Sequence, residues 1–142
     1  MGAGVSKQSA SRRLNFEDMQ WATRSESTVI ISTLGVDRQG CLIPCTIPPA
    51  DETETINGYL GRDSGVKIVV YGESANDDSV GQKYAQLAGL GFTNVYVYPG
   101  GMFEWLLLQD VYGEEMFPTI GREIDILKYK GPRRLGVLMI KN

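Results

Sequence analysis

Hydrophobic residues fall into two patterns along this chain: short, continuous apolar runs and longer stretches with helical spacing. The runs at Thr28–Ser32, Lys67–Tyr71 and Asn94–Tyr98 are rich in β-branched residues and do not alternate with polar ones. All three predict strands, and the uninterrupted run Lys67–Tyr71 is typical of a central parallel strand that is covered on both faces. A further run, Cys41–Ile47, predicts a shorter strand that ends at Pro48. Strands that alternate with helices at this spacing predict an α/β fold with a mainly parallel sheet.

Four helices are predicted between these runs. Asn15, with Asp18 three residues later, marks the start of a helix over residues 16–23. The acidic pair at positions 51 and 52 suits the first turn of a second helix, which ends near residue 60. Either Asp77 or Asp78 caps a third helix. The turn Pro99–Gly101 leads into a fourth, over residues 102–110.

The amino-acid composition excludes several kinds of catalytic and metal site. The chain has 142 residues, of which 42% are hydrophobic, enough to form the core of one domain. It contains no histidine, which excludes Ser–His–Asp triads, Cys–His pairs and His-ligated zinc. Two cysteines are too few for a zinc site or a disulfide-stapled secreted domain. No apolar run has the length of a membrane span, and the start of the chain lacks the core of a signal peptide. We expect a soluble cytoplasmic domain that needs no cofactor and no metal.

Charge is distributed unevenly and divides the chain into three parts. Residues 14–127 hold all seventeen acidic residues and six basic ones, whereas both ends are basic. We therefore predict a flexible leader over residues 1–13, a domain over 14–130 and a basic, apolar tail over 131–142. Basic ends on an acidic body indicate an anionic partner, or solvated tails without one. Nucleic acid is not expected, because the body would repel phosphate and no interleaved aromatic and basic residues occur.

The order of several short motifs resembles the rhodanese homology domain. The matching positions are Ile68–Gly72, Asp78-Ser79, Leu87, Gly91–Val95, Tyr98, Gly100-Gly101 and Glu104-Trp105. The resemblance implies a three-layer sandwich, with a mainly parallel five-stranded sheet and helices on both faces. It also implies a site in which a nucleophilic cysteine ends the central strand and a loop of backbone amides follows it. Ile31–Leu34 departs from the family, which usually has an Asp and an Arg there.

The decisive departure is Gly72, which occupies the family's nucleophile position. Sulfur transfer through a persulfide needs a thiolate, and glycine has no side chain. Related phosphatases use the same cysteine, so that activity is not expected either. We interpret the chain as a catalytically inactive member with a degenerate loop. The loop consists of Gly72, Glu73, Ser74, Ala75, Asn76, Asp77, Asp78 and Ser79.

The other side chains of this loop do not restore the chemistry. Three carboxylates, from Glu73, Asp77 and Asp78, would repel a thiosulfate or phosphate anion. Ser74 and Ser79 have no base to activate them, so we expect them to serve as cap and loop hydroxyls. A magnesium site made by the loop acids with Asp51 or Glu52 is conceivable, but helix capping explains the loop acids more simply.

Two cysteines lie elsewhere and keep an enzymatic alternative open. Cys41 and Cys45 flank Leu42–Pro44, and the equivalent family positions lie near the mouth of the active-site loop. One of them could carry sulfur in place of the missing loop cysteine, which would make the chain a sulfurtransferase. The simpler interpretation is that both are small apolar residues.

The amino terminus carries a second functional signal. Met1–Ser6 matches the pattern for N-myristoylation, which would place the acyl group on Gly2. One such chain binds membranes only marginally, so a second signal is required. Lys7, Arg12 and Arg13 could supply it against an anionic leaflet, and we expect Arg133 and Arg134 to add to the same contact.

These observations predict a non-catalytic interaction or scaffold module with an unidentified protein partner, located in the cytoplasm as a peripheral membrane protein or in a virion. A virion is considered as a location because Phe103–Gly113 and Phe117–Thr119 resemble a rhodanese-like subgroup of large DNA viruses. A minor structural component of a viral capsid is a further alternative. The segment Leu135–Ile140 is interpreted as either an edge strand or a segment that is given to a partner.

Overall fold

The structure, a computed structural model, describes residues 12–136 and consists of a small parallel sheet with two helices on each face. The two connections between successive strands each contain a helix, as parallel connections require. In chain order the elements are α1 (Phe16–Arg24), β1 (Thr28–Ser32), a 3₁₀ turn (Val36–Arg38), α2 (Pro49–Leu60), β2 (Lys67–Tyr71), α3 (Asp78–Gly89), β3 (Val95–Tyr98), α4 (Gly101–Tyr112) and a second 3₁₀ turn (Ile126–Tyr129).

The sheet has the order β1-β2-β3, and both pairings are parallel. Beyond the three strands, the described residues add only a single bridge at each edge. Arg13 pairs with Val97 of β3, and Thr46 pairs with Ile30 of β1. The prediction of five strands was therefore wrong in number. Each outer position is reduced to a bridge, although the parallel direction and the α/β class are confirmed.

The predicted strand over Cys41–Ile47 does not form, because a turn interrupts it. The Thr46 amide donates to the Ile43 carbonyl, which reverses the chain at Pro44 and Cys45. Cys45 takes a positive φ of 70°, which is incompatible with extended pairing. Only the ends of the segment pair, and they pair with different partners: Leu42 with Ile120 and Thr46 with Ile30.

The strands contribute alternate side chains to two separate cores. Ile30, Val69 and Tyr71 face α1 and α4. Val29, Ile31, Ile68 and Val70 face α2 and α3. This alternation follows from the two-residue period of a strand, and the lack of polar positions follows from cover on both faces. The predicted three-layer arrangement is confirmed.

Helix boundaries follow the capping signals. Asn15 and Asp18 form the predicted capping box at the start of α1, and Asp77 caps α3. Helix α2 begins two residues before Asp51 because Pro49 is well suited to the first helical position. None of the helices in residues 12–136 combines the length and the apolar character that spanning a bilayer would require. The predicted role of Leu135–Ile140 lies largely outside the described residues.

Candidate functional site

The loop Gly72–Ser79 lies at the carboxyl edge of the sheet, where β2 ends and α3 begins. Thr33, which follows β1, and Gly101, which follows β3, lie on either side of its first residue. Gly101 adopts a φ of +62°, and a Cβ there would approach the Gly72 carbonyl oxygen to 2.5 Å. Glycine is therefore required at position 101, and the turn into α4 packs directly against the loop.

No space exists for a side chain at position 72. A Cβ added to Gly72 would lie 2.3 Å from Asp77 Oδ2, 2.6 Å from Val80 Cγ2 and 2.8 Å from Thr33 Oγ1. All three distances are shorter than a normal van der Waals contact. The site in which a reactive side chain would stand is thus filled by neighbouring side chains of the chain itself.

The carboxylate of Asp77 occupies the amide cradle of the loop. Its Oδ2 accepts a hydrogen bond from the Glu73 amide at 3.0 Å, and its Oδ1 accepts one from the Ser79 amide at 3.0 Å. Backbone amides at a helix N-terminus bind anions well, and here the anion is internal. The sequence predicted Asp77 or Asp78 as the cap, and the structure selects Asp77, with Asp78 exposed.

Hydroxyl groups complete the floor of the loop. The Ser79 hydroxyl also contacts Asp77 and lies 2.8 Å from Thr33 Oγ1. Thr33 lies in the Ile31–Leu34 segment, which lacks the Asp and the Arg that the resembled family usually has there. A neutral pair of hydroxyls stands there instead. The expected cap and loop role fits Ser79, whose hydroxyl bonds only within this cluster in the part of the chain that is described.

Glu73 turns away from the cradle and toward Arg38. Its Oε2 lies 3.5 Å from Arg38 Nε, and the guanidinium also contacts Asp37 at 2.8 Å. The same guanidinium stands 5.8 Å from the centre of the Tyr129 ring. Arg38 was not singled out from the sequence. It follows β1 at a position with no motif, and only the fold brings it to the loop.

Two backbone amides in the first turn of α4 donate hydrogen bonds to carbonyls of the loop. Met102 donates to the Gly72 carbonyl at 3.0 Å and Phe103 donates to the Glu73 carbonyl at 2.9 Å. These donors would otherwise be available to a ligand. Nearby, the Tyr98 hydroxyl donates to Glu104, and burial together with that carboxylate raises the pKa of Tyr98 well above its ordinary value.

The two cysteines differ in burial and in hydrogen-bond partners. Cys41 is buried in the core with α4, where burial raises the pKa of its thiol, and its sulfur lies 4.0 Å from the Gly121 carbonyl oxygen. Cys45 is exposed, and its sulfur contacts the carbonyl of Thr23, near the amino edge of the sheet. Among the hydrogen bonds of residues 12–136, neither sulfur bonds to the loop.

Arg12 and Arg13 at one end of the described chain, and Gly131 near the other, lie beside the loop. A cavity of about 340 Å³ is lined by Arg12 and Arg13 on one side and by Ala75, Asp77 and Asp78 on the other. Gly131 packs against Asn76, so that a Cβ there would lie 2.9 Å from Asn76 Nδ2. Arg133 and Arg134 follow two and three residues later and are exposed. Gly2 and Lys7 lie outside the described residues.

Metal-ligating side chains do not gather in the described part of the chain: no group of three or more Asp, Glu or Cys residues is placed to hold an ion. Glu52 pairs with Lys83 instead of approaching the loop acids. Asp51 lies in the first turn of α2. The arrangement at the loop is thus a self-contained hydrogen-bond network around one carboxylate.

Comparison with known sequences matches residues 43–108 to the family model described as the rhodanese-like domain. This range includes the loop, α3 and β3, and it ends inside α4. No match was found among curated proteins.

Solved structures show the same fold. A crystal structure of the Alr3790 protein from Anabaena sp. superposes with a TM-score of 0.54 and 18% identity, covering 81% of this chain and 97% of that one. The solution structure of the rhodanese-like domain from the same protein superposes with a TM-score of 0.55 and 17% sequence identity. The match covers 87% of this chain and 86% of that one. The BH2092 protein from Bacillus halodurans superposes with a TM-score of 0.57 and 18% sequence identity, covering 79% of this chain and 81% of that one. The predicted fold class is confirmed.

Proposed function

Because this chain contains a rhodanese-like domain, we propose that it works as a non-catalytic interaction or scaffold module of that fold, held at a membrane by an acylated leader. The observation that supports a non-catalytic role is the filled position 72. Glycine supplies no thiolate, and the Asp77 carboxylate stands where a side chain at that position would have to lie.

The state of the amide cradle supports the same proposal. Two loop amides donate to Asp77, and two amides of α4 donate to loop carbonyls. A thiosulfate or phosphate anion would have to displace a carboxylate that is covalently part of the loop. It would also meet that negative charge at short range. Both effects oppose the binding step that sulfur or phosphoryl transfer needs.

A thiosulfate–cyanide sulfurtransferase assay tests the non-catalytic role. The wild-type chain is expected to show no thiocyanate formation above the uncatalysed rate. Cys41→Ser and Cys45→Ser serve as controls, because each removes one of the two available thiols. Turnover in the wild type that is lost in either variant would replace the proposal with a sulfurtransferase that uses that cysteine.

The membrane part of the proposal rests on Gly2 and on the basic residues near it. A single myristoyl chain binds reversibly, and cations near an anionic leaflet add about 1 kcal/mol each. Arg12 and Arg13 lie beside the loop, on the edge of the sheet that Gly131 also reaches. A host membrane and a virion envelope offer the same anionic lipid surface, so this contact is compatible with either location.

Intact mass of the chain expressed in eukaryotic cells tests the acylation. The expected mass is that of a chain without Met1 and with one myristoyl group, and Gly2→Ala should lack the acyl group. An unmodified amino terminus in the wild type would remove the acyl anchor from the proposal.

A further inference from the structure

The segment over residues 124–135 combines exposed aliphatic side chains with unpaired cations. Ile124, Leu127 and Leu135 are 89%, 64% and 87% exposed. Single exposed apolar side chains are common on protein surfaces, but here three large aliphatic ones lie within twelve residues of a segment that also carries exposed cations. Tyr129, in the middle of the segment, is fully buried beside α4 and attaches the segment to the core.

The cations of this segment have no acidic partner within the described chain. Lys130, Arg133 and Arg134 are exposed and take part in none of the salt bridges among residues 12–136. Lys128, by contrast, is paired with Glu123. Asp125 is the last acid of the chain, so the charge beyond it is positive throughout.

From this combination we infer that residues 124–135 form a membrane-binding surface that attaches the protein to an anionic bilayer without the acyl group. Leu127, Leu135 and Ile124 would enter the headgroup region, while Lys130, Arg133 and Arg134 would contact lipid phosphates and carboxylates. The inference rests on the proposed membrane role. It supplies the second signal that a single acyl chain needs.

An anionic bilayer fits this surface better than an acidic protein does. The three exposed cations lie between two exposed aliphatic side chains, Leu127 and Leu135, and the one aromatic residue of the segment, Tyr129, is buried, so the segment presents no aromatic anchor. Lipid accepts such side chains without shape complementarity, whereas a protein interface draws its affinity from well-packed anchors.

The test uses the full-length chain from bacteria, which lack the acylating enzyme, in a sedimentation assay with lipid vesicles. Vesicles of phosphatidylcholine with phosphatidylserine are compared with vesicles of phosphatidylcholine alone. We expect binding only to the anionic vesicles, with a marked loss as salt increases. Equal binding to both vesicle types, or binding to neither, would overturn the inference.

A charge-reversed pair separates the local effect from net charge. Arg133→Glu with Arg134→Glu should weaken binding to anionic vesicles by about tenfold or more. Arg24→Glu with Arg62→Glu gives the same net charge, but these exposed residues lie at the opposite edge of the sheet, before β1 and β2. The control should bind within about twofold of the wild type. An equal loss in both variants would contradict a localised surface.

A second pair tests the aliphatic contact. Leu127→Ser with Leu135→Ser should weaken binding severalfold without changing its salt dependence, whereas Leu90→Ser, at the far end of α3, should not. Unchanged binding in the first variant would refute the insertion of these side chains. All variants are checked by circular dichroism. Because the protein in this assay carries no acyl group and no substrate is present, failure here would leave the proposed acylation and the proposed lack of catalysis to their own tests.

Discussion

The carboxylate of Asp77 and the α-carbon of Gly72 exclude a side chain between them: a Cβ on Gly72 would lie 2.3 Å from Asp77 Oδ2. The carboxylate is held in this place by the Glu73 and Ser79 amides. A side chain at position 72 therefore requires the Asp77 carboxylate to leave its hydrogen bonds.

A methyl group at position 72 should destabilise the fold. Gly72→Ala must displace Asp77, Val80 or Thr33, and overpacking of this kind costs about 1–3 kcal/mol. Gly81→Ala is the matched control, because position 81 is helical and has open space around it, so alanine there should stabilise by up to about 1 kcal/mol. Urea unfolding measures both. A Gly72→Ala variant as stable as the wild type would show that the site is not filled.

Removing the Asp77 carboxylate should also reduce stability. Asp77→Ala loses the cap of α3 and leaves the Glu73 amide without its acceptor, for a loss of about 1–2 kcal/mol in the free energy of unfolding. The stability of Asp77→Asn should lie between that of Asp77→Ala and that of the wild type, because the asparagine side chain keeps one of the two acceptor oxygens. Asp78→Ala, one residue away and exposed, should have little effect. Equal losses at 77 and 78 would argue against a special role for Asp77.

Alkaline pH should weaken the fold through buried tyrosines. Burial raises the pKa of Tyr129 to about 12 and raises the pKa of Tyr71 further, from an ordinary value of 10. Between pH 10 and 12 the unfolded chain loses these protons while the folded chain keeps them. The stability that these two protonated tyrosines contribute to the folded state is therefore fully present below pH 10, and it is lost as the pH rises through their folded pKa. Chemical unfolding at pH 8 and at pH 11 measures the loss, which Tyr129→Phe should make smaller. Equal stability at both values would contradict this.

Thiol labelling should separate the two cysteines. Cys45 is exposed and should react with a disulfide reagent at the rate of a free thiol, whereas burial and a raised pKa should make Cys41 much slower. Cys45→Ser should abolish the fast phase in native protein, and denaturant should make both thiols reactive. Fast native labelling of Cys41 would show that the core around α4 opens readily.

Local sequence signals predicted most of the elements, because the signals themselves are local. Asn15 with Asp18, and Asp77 before Val80, specify helix starts by hydrogen bonds that span three residues or fewer. The segment Cys41–Ile47 failed because its apolar pattern is that of a strand, while Pro44 and the left-handed Cys45 favour a turn. A pattern of hydrophobic residues does not report which partner each end will find.

The site was predicted only in part, since its contacts are long-range. Gly72 marked the missing nucleophile, but the sequence left the cap open between Asp77 and Asp78 and did not show that the Asp77 carboxylate would also accept from the Glu73 amide. Arg38 reaches Glu73 across thirty-five positions, and Gly131 reaches Asn76 across fifty-five. These contacts follow from the order of the parallel strands, which brings the ends of β1 and β2 and the basic tail to one edge of the sheet.

Sulfur loading of the native protein tests the central claim most directly. The chain is incubated with thiosulfate, alkylated, and measured by intact mass, so that any persulfide adds one sulfur atom to a thiol. We predict that neither Cys41 nor Cys45 gains sulfur, because neither bonds to the loop and position 72 has no thiol. One added sulfur on either cysteine, formed in folded but not in denatured protein, would contradict a non-catalytic domain.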